Sequence, residues 1–200
     1  QIYFPSSYTW DMALVIHRSL LSSDKEQARE LLDFYLDDYR ASIKSGKKFN
    51  GIPKSFNAYT AEPSSGEDIA ATASIGNEIL FYEYITGDSR YREMLKPIAE
   101  WLLDMQKQYG GGGLRQIPQT DVQKKYPELK RKFTEPNAVA YAFFNNYGLK
   151  YKESRYNQAA NEILTWAKGL WDNQKGLLMY GEGKKEPSLD AQTRWLLVLG

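Results

Sequence analysis

The sequence lacks cysteine entirely and has a single histidine, His17, among its 200 residues. These absences exclude zinc sites built from histidine and cysteine, and they exclude a cysteine nucleophile. Serine–histidine catalysis would have to use His17, which lies in the helical pattern DMALVIHRSLL. A lone histidine in such a pattern is more often a packed or surface side chain. We therefore expect no metal site, and we do not expect His17 to be catalytic.

An excess of charge of one sign is also lacking. The chain has 26 lysine and arginine residues against 25 aspartate and glutamate residues, for a formal net charge of +1. Such a balance produces no global field that would attract nucleic acid or an anionic membrane surface. No apolar run approaches the ~20 residues needed to span a bilayer. We expect neither a nucleic-acid partner nor a membrane span.

Apolar residues recur every three or four positions, with only weak period-two alternation, which predicts an all-α fold. The segments pair into αα hairpins at about 8–46, 67–110 and 134–174, followed by a half hairpin at 188–200. Ser23-Asp24 is a helix-start signal within the first hairpin, and Gly46 is a stop signal. We interpret residues 1–200 as a single domain or a fragment of one.

An internal repeat supports this division. SRYREMLKPIAEW (89–101) aligns with SRYNQAANEILTW (154–166), so that Trp101 and Trp166 coincide at a spacing of 65 residues. Each repeat is one αα hairpin, which must stack on neighbours to bury its apolar face. The first helix of each hairpin has small or apolar side chains on nearly all of its faces, whereas the second helix has one charged face. Two concentric layers of helices, forming a partial α/α toroid of about three and a half hairpins, are therefore expected.

Four segments resemble motifs of the six-hairpin glycosidase superfamily: YTWDMAL (8–14), TGDSRY (86–91), TEPNAVAYAFF (134–144) and SLDAQT (188–193). The resemblance implies a sugar-binding cleft at one end of the barrel, often with two carboxylates and with no cofactor. One carboxylic acid protonates the leaving oxygen, and the other carboxylate activates water or attacks the anomeric carbon. The superfamily usually closes with six hairpins, so we expect a fragment, an open toroid or one completed by other chains.

Acidic residues lie near the starts of the odd-numbered helices. If these helices run parallel, their first turns meet at one rim, and Glu135 and Asp11 are the leading catalytic candidates. Asp68, next to the alternative Glu67, and Asp190 come second. Thr134 is the expected N-cap of the helix that begins at Glu135. A carboxylate in a first turn also gains from the helix dipole, so a purely structural role for Glu135 remains open.

The expected sugar contacts surround these carboxylates. Aromatic faces suit sugar C–H surfaces, and amides or guanidinium groups suit hydroxyls or a uronate carboxylate. Instead of contacting a sugar, the aromatic candidates could pack in the core, and the polar candidates could cap helices or form salt bridges. The predicted substrate-binding residues are Trp10, Tyr59, Asn137, Tyr180, Gln192 and Arg194.

The function expected first is cleavage of a glycosidic bond in a poly- or oligosaccharide by paired carboxylates, as a hydrolase or lyase. A non-catalytic sugar-binding toroid and a helical-repeat scaffold that binds a protein are the alternatives. A secreted or periplasmic location is expected, since polysaccharides lie outside cells. The apolar end RWLLVLG lacks a hairpin partner, which predicts self-association through the toroid edge.

Overall fold

The computed structural model describes residues 6–117, 131–184 and 186–199. Seven α-helices and two short antiparallel strand pairs form the regular structure of these residues, so the predicted all-α class is confirmed. The helices are α1 (Thr9–Leu21), α2 (Lys25–Lys44), α3 (Ile69–Thr86), α4 (Arg92–Tyr109), α5 (Thr134–Tyr151), α6 (Ser154–Lys168) and α7 (Leu189–Leu199). The strand pairs are β1 (Ser6–Tyr8) with β2 (Ser55–Asn57), and β3 (Trp171–Asp172) with β4 (Leu177–Leu178).

The chain folds into two compact units, Gln1–Trp101 and Leu102–Gly200. The boundary falls inside α4. In the first unit, α1 packs against both α2 and α3. In the second, α5 packs against both α6 and α7. A single domain over residues 1–200 remains a prediction.

Sequence signals correctly placed the first hairpin's turn. The Asp24 side chain accepts a hydrogen bond from the Gln27 N–H at 3.2 Å and so caps α2. This helix ends at Lys44, and Gly46 follows with φ of +79°. A positive φ is what a glycine after a helix supplies at low cost.

The predicted N-cap role of Thr134 is wrong. The N-cap is Phe133, and Thr134 is the first residue of α5. Its hydroxyl donates to the Tyr180 carbonyl at 2.8 Å, and its N–H donates to the same oxygen at 2.9 Å. Thr134 therefore ties the start of α5 to the loop before α7. In the first unit, Thr9 likewise ties the start of α1 to the loop before α3, with its N–H 3.0 Å from the Lys54 oxygen.

The predicted third hairpin, 134–174, is helical only as far as Lys168. Beyond it, β3 and β4 form a small hairpin closed by a hydrogen bond of 2.8 Å from the Gly176 N–H to the Asp172 oxygen. Gly169 ends the helical pattern, and Gly176 has φ of +65°, which suits a tight turn. Strands of two residues are too short to produce a detectable period-two pattern.

The fourth residue of three odd-numbered helices has a polar side chain that holds the segment preceding the helix. In every case a side-chain oxygen accepts the backbone N–H of one apolar residue of that segment, which satisfies a donor that would otherwise be buried unpaired. The three bonds run from Ile52 to Thr72 at 2.8 Å, from Leu114 to Asn137 at 2.7 Å and from Leu178 to Gln192 at 3.1 Å. We call this repeated contact the loop clamp.

Candidate functional site

Four of the predicted site residues meet within the second unit. Glu135 lies in the first turn of α5 and Asp190 in the first turn of α7. Arg194 follows Asp190 by one helical turn, and its Nε lies 3.2 Å from Oε1 of Glu135. Tyr180 lies in the loop before α7 and interacts electrostatically with both carboxylates. We refer to Glu135, Tyr180, Asp190 and Arg194 as the rim cluster.

The side chain of Trp195 joins α7 to α5. Its indole N–H donates to the Thr134 carbonyl at 2.9 Å, and its ring lies 5.6 Å from the ring of Tyr141. Trp195 and Thr134 are both buried. A buried hydrogen bond and a ring contact therefore hold together the two helices that carry Glu135, Asp190 and Arg194.

Burial and the neighbouring charges shift the pKa values of two residues in the rim cluster, Tyr180 and Arg194. Burial raises the pKa of Tyr180, and the carboxylates of Glu135 and Asp190 raise it further. Tyr180 therefore stays a neutral phenol at physiological pH and can donate a hydrogen bond. Burial lowers the pKa of Arg194, while Glu135 and Asp190 act in the opposite direction.

The amides of Asn137 and Gln192 have backbone partners. Asn137 is fully buried, with its Nδ2 donating to the Leu114 and Phe133 carbonyls at 2.8 and 2.7 Å. The Nε2 of Gln192 donates to the Leu178 carbonyl at 2.5 Å. Together with the loop clamp, these bonds engage both ends of each amide. These contacts tie Asn137 and Gln192 to the backbone around the rim, and their predicted contacts with a sugar remain predictions.

The remaining predicted site residues belong to the first unit. Asp68 is only 3% exposed and accepts the Ala71 N–H at 2.9 Å, so it caps α3. Asp11 is exposed in the first turn of α1, and Trp10 is half-buried beside it. Tyr59 is 78% exposed in the loop after β2. Asp68 therefore caps α3, and Asp68, Asp11, Trp10 and Tyr59 all remain predictions for catalysis or sugar contact.

Sequence reasoning missed an acid–base pair in the first unit. Nδ1 of His17, on α1, lies 3.1 Å from Oε2 of Glu78, on α3, and the His17 ring stacks on Phe81 at 4.7 Å. The Glu78 side chain is 12% exposed, and burial raises its pKa. The hydrogen bond to Glu78 raises the pKa of His17. The available signal was a lone carboxylate inside the apolar helix IAATASIGNEIL.

Two features are absent from the residues that the structure describes: a group of side chains placed to hold a metal ion and a helix able to span a membrane. Across 6–117, 131–184 and 186–199, no group of three or more histidine, aspartate or glutamate side chains is placed to hold a metal ion. None of the helices in those ranges is long and apolar enough to cross a membrane.

No protein-family model matches the sequence, and no curated protein matches it. Three solved structures share its fold. A cellobiose 2-epimerase from Spirochaeta thermophila is 15% identical, with a TM-score of 0.65 over 94% of this chain and 51% of that one. An α-amylase from Clostridium perfringens is 12% identical, with a TM-score of 0.65 over 96% and 54% of the two chains. A family 76 α-mannanase from Bacteroides thetaiotaomicron is 17% identical, with a TM-score of 0.60 over 93% and 51%.

The chain spans about half the length of these structures. At this level of identity the similarity establishes the fold, and a fold hosts more than one chemistry. The predicted architecture of αα-hairpin repeats in a partial α/α toroid is confirmed. The chain has the fold of the six-hairpin glycosidase superfamily.

Proposed function

We propose that this protein cleaves a glycosidic bond in a poly- or oligosaccharide and that Glu135 is a catalytic carboxylate. The rim cluster is the observation that carries this proposal. Two carboxylates, a phenol donor and a guanidinium group converge there at the starts of two helices. The shared fold supports the same direction, because the three similar structures are a cellobiose 2-epimerase, an α-amylase and an α-mannanase.

The roles follow from the surroundings of each group. Glu135 pairs with the guanidinium of Arg194, 3.2 Å away, and is the proposed carboxylate that activates water or attacks the anomeric carbon. Asp190 is the proposed partner carboxyl that protonates the leaving oxygen, and Asp11 is the alternative. Hydrolysis consumes one water and returns both carboxyl groups to their starting protonation states. Tyr180 is proposed to donate a hydrogen bond to a sugar hydroxyl.

The charge of the rim cluster favours a neutral sugar. Arg194 was one candidate for contact with a uronate, but it already pairs with Glu135. A uronate carboxylate bound here would lie beside the carboxylate of Glu135, which would repel it. We therefore propose cello-, manno- and malto-oligosaccharides, suggested by the names of the similar structures, as the first substrates to test.

The test is turnover of the three oligosaccharide series by wild-type protein and by the Glu135→Gln variant. Loss of a catalytic carboxylate is expected to lower kcat by about 10²–10⁴-fold. Glu162→Gln, which changes an exposed glutamate on α6, is the matched control and is expected to leave kcat unchanged. Circular dichroism checks that both variants are folded.

Three outcomes overturn the proposal. If Glu135→Gln turns over substrate as fast as Glu162→Gln, Glu135 is not catalytic. If wild-type protein binds the oligosaccharides without cleaving any, the alternative of a non-catalytic sugar-binding toroid replaces it. Absence of both binding and turnover favours the helical-repeat scaffold.

Location and assembly are proposed with the function. We propose that the protein acts outside the cytoplasm, on polymers found there, which cell fractionation tests.

Leu196 and Leu197 on α7 are 73% and 78% exposed, and Leu199 is 54% exposed. We propose that this apolar face supports self-association, which light scattering tests by the molar mass in solution.

A further inference from the structure

A recess in the first unit, separate from the rim cluster, has the composition of a ligand site. It lies between the C-terminal half of α2 and the loop that leads to α3, and its volume is about 650 Å³. Pockets that hold small ligands typically measure about 300–1,000 Å³. Tyr39, Phe49, Asp38, Lys47, Gly51 and Glu67 are among its lining residues. We call this cavity the α2 recess.

One wall of the α2 recess is aromatic. The rings of Tyr39 and Phe49 are in edge-to-face contact, with their centroids 5.9 Å apart and their planes at 67°. Both side chains are half-buried, so part of each ring is open to solvent. Aromatic rings in a concave site present an apolar surface against which the C–H groups of a sugar ring can lie.

The charged groups of the α2 recess balance one another. Asp38 and Glu67 supply two carboxylates, and Lys47 and Lys48 supply two ammonium groups. Within residues 6–117, 131–184 and 186–199, the carboxylates of Asp38 and Glu67 form no hydrogen bond or salt bridge. Burial raises the pKa of Asp38, and the charge of Lys47 partly offsets this. A recess with unpaired acceptors and donors but no net charge suits a neutral, polyhydroxylated ligand better than an ion.

Gly51, one of the residues that line the α2 recess, packs closely against a tryptophan. Gly51 has φ of +96°, and a side-chain carbon there would lie 2.6 Å from the buried Trp101 ring. No other residue type fits this position without displacing the tryptophan. The same loop accepts the Thr9 N–H at the start of α1 and carries Asp68 at the start of α3. The recess therefore lies at the end of the first unit where its odd-numbered helices begin.

We infer that the α2 recess is an accessory subsite that binds a neutral saccharide unit. This inference rests on the proposed glycan-cleaving function, which it extends by giving the protein a second saccharide-binding site. The sugar ring lies against Tyr39 and Phe49, and its hydroxyls donate to Asp38 and Glu67 and accept from Lys47. No bond is made or broken at this subsite.

The test measures calorimetric affinity for cello-, manno- and malto-oligosaccharides of increasing length. It uses the protein carrying Glu135→Gln, so that cleavage does not consume the ligand. Asp38→Asn keeps the shape of the side chain and removes its charge. Because hydrogen bonds to charged groups contribute more than neutral ones, it is expected to weaken binding of the longest bound oligosaccharide by about tenfold. Asp37→Asn is the matched control, because Asp37 immediately precedes Asp38 on α2 but does not line the recess. This variant is expected to bind the oligosaccharide with unchanged affinity.

A second variant addresses the aromatic wall. Phe49→Ala is expected to weaken the same binding by about fivefold, from the loss of an aromatic contact. Tyr84→Ala, which removes an 80% exposed ring on α3, is its control. If Phe49→Ala fails to fold, as circular dichroism would show, Asp38→Asn alone decides.

The failures of the two proposals are distinguishable. Binding that is equal in Asp38→Asn and Asp37→Asn overturns the subsite, whatever the turnover assays show. Weakened binding in Asp38→Asn with unchanged turnover in Glu135→Gln supports the subsite and overturns the catalytic role of Glu135.

Discussion

At the scale of single residues, two glycines with the same backbone requirement differ in their surroundings. Gly46 and Gly51 have φ of +79° and +96°, but a side chain at position 46 meets open space while one at position 51 meets Trp101. Gly46→Ala is expected to cost about 1–2 kcal/mol, from the positive φ alone. Gly51→Ala adds an overpacking cost of about 1–3 kcal/mol. The free energies of unfolding in urea measure both, and equal values would show that the Trp101 contact does not constrain this loop.

Also at this scale, His17 is the only histidine, so its titration can be read directly by NMR. We expect its pKa to lie above the ordinary 6.5, because Glu78 accepts its hydrogen bond. Glu78→Gln is expected to lower that pKa, since the charge is lost while partial burial remains. Glu62→Gln, an exposed change elsewhere in the first unit, serves as control. A pKa unaffected by Glu78→Gln contradicts the pairing.

The sign of the linked stability change follows from the direction of the shift. The folded-state pKa of His17 is raised above its unfolded value, so the contribution of the pair is fully present below the unfolded pKa. It is lost as pH rises through the folded-state pKa. The stability difference between wild-type protein and His17→Gln is therefore expected to shrink as pH rises through this window, as urea unfolding at several pH values would measure.

At the scale of elements, the loop clamp connects each loop to the helix that follows it. Asn137→Ala removes the partners of the buried Leu114 N–H and C=O, which are 2.7 and 2.8 Å from the amide. Since an unsatisfied buried polar group costs about 1–3 kcal/mol, we expect destabilisation of about 2–5 kcal/mol. Hydrogen exchange of the Leu114 amide is expected to accelerate as well.

The control for this prediction lies on the same helix. Asn146 is exposed on α5, and Asn146→Ala is expected to change stability by less than about 0.5 kcal/mol. Unchanged protection of the Leu114 amide in Asn137→Ala would show that the loop is held by other contacts.

At the scale of the whole molecule, the near-zero net charge of +1 limits the partners. The binding sites proposed for saccharides carry no excess of positive charge, so screening should affect neutral ligands little. We expect the affinity for neutral oligosaccharides to change less than about twofold between about 0.05 M and about 0.5 M salt. Calorimetry at the two salt concentrations measures this, with a uronate-containing oligosaccharide as comparison. Tight, salt-sensitive binding of the uronate would contradict the proposed preference for neutral sugars.

The same scale shows why the fold was readable from the sequence. Helical spacing is a local property, and the repeat around Trp101 and Trp166 records the same packing twice. Each of these tryptophans lies against a glycine of the loop before its hairpin, Gly51 in one case and Gly113 in the other. A repeated pattern of this kind constrains architecture without specifying chemistry.

The site was only partly readable. Glu135 and Asp190 were identified as candidates because each lies near the start of an odd-numbered helix, and Tyr180 and Arg194 because their side chains suit a sugar. The pairing of Arg194 with Glu135 was not predicted, because the two residues are 59 positions apart in the chain. The backbone contacts of Asn137 were not predicted either, because they depend on the position of Leu114, 23 residues away.

Local sequence determined the helix periodicity, the cap at Asp24, the stop after α2 and the alternation of apolar and amphipathic helices, because these depend on residues a few positions apart. Tertiary structure alone decided that Thr134 bonds the loop before α7, that His17 meets Glu78 and that Tyr39 and Phe49 line a recess. Each of these depends on which distant segment packs alongside. A side chain's chemistry is set by its sequence, but its partner is set by the packing of the helices that bring the two together.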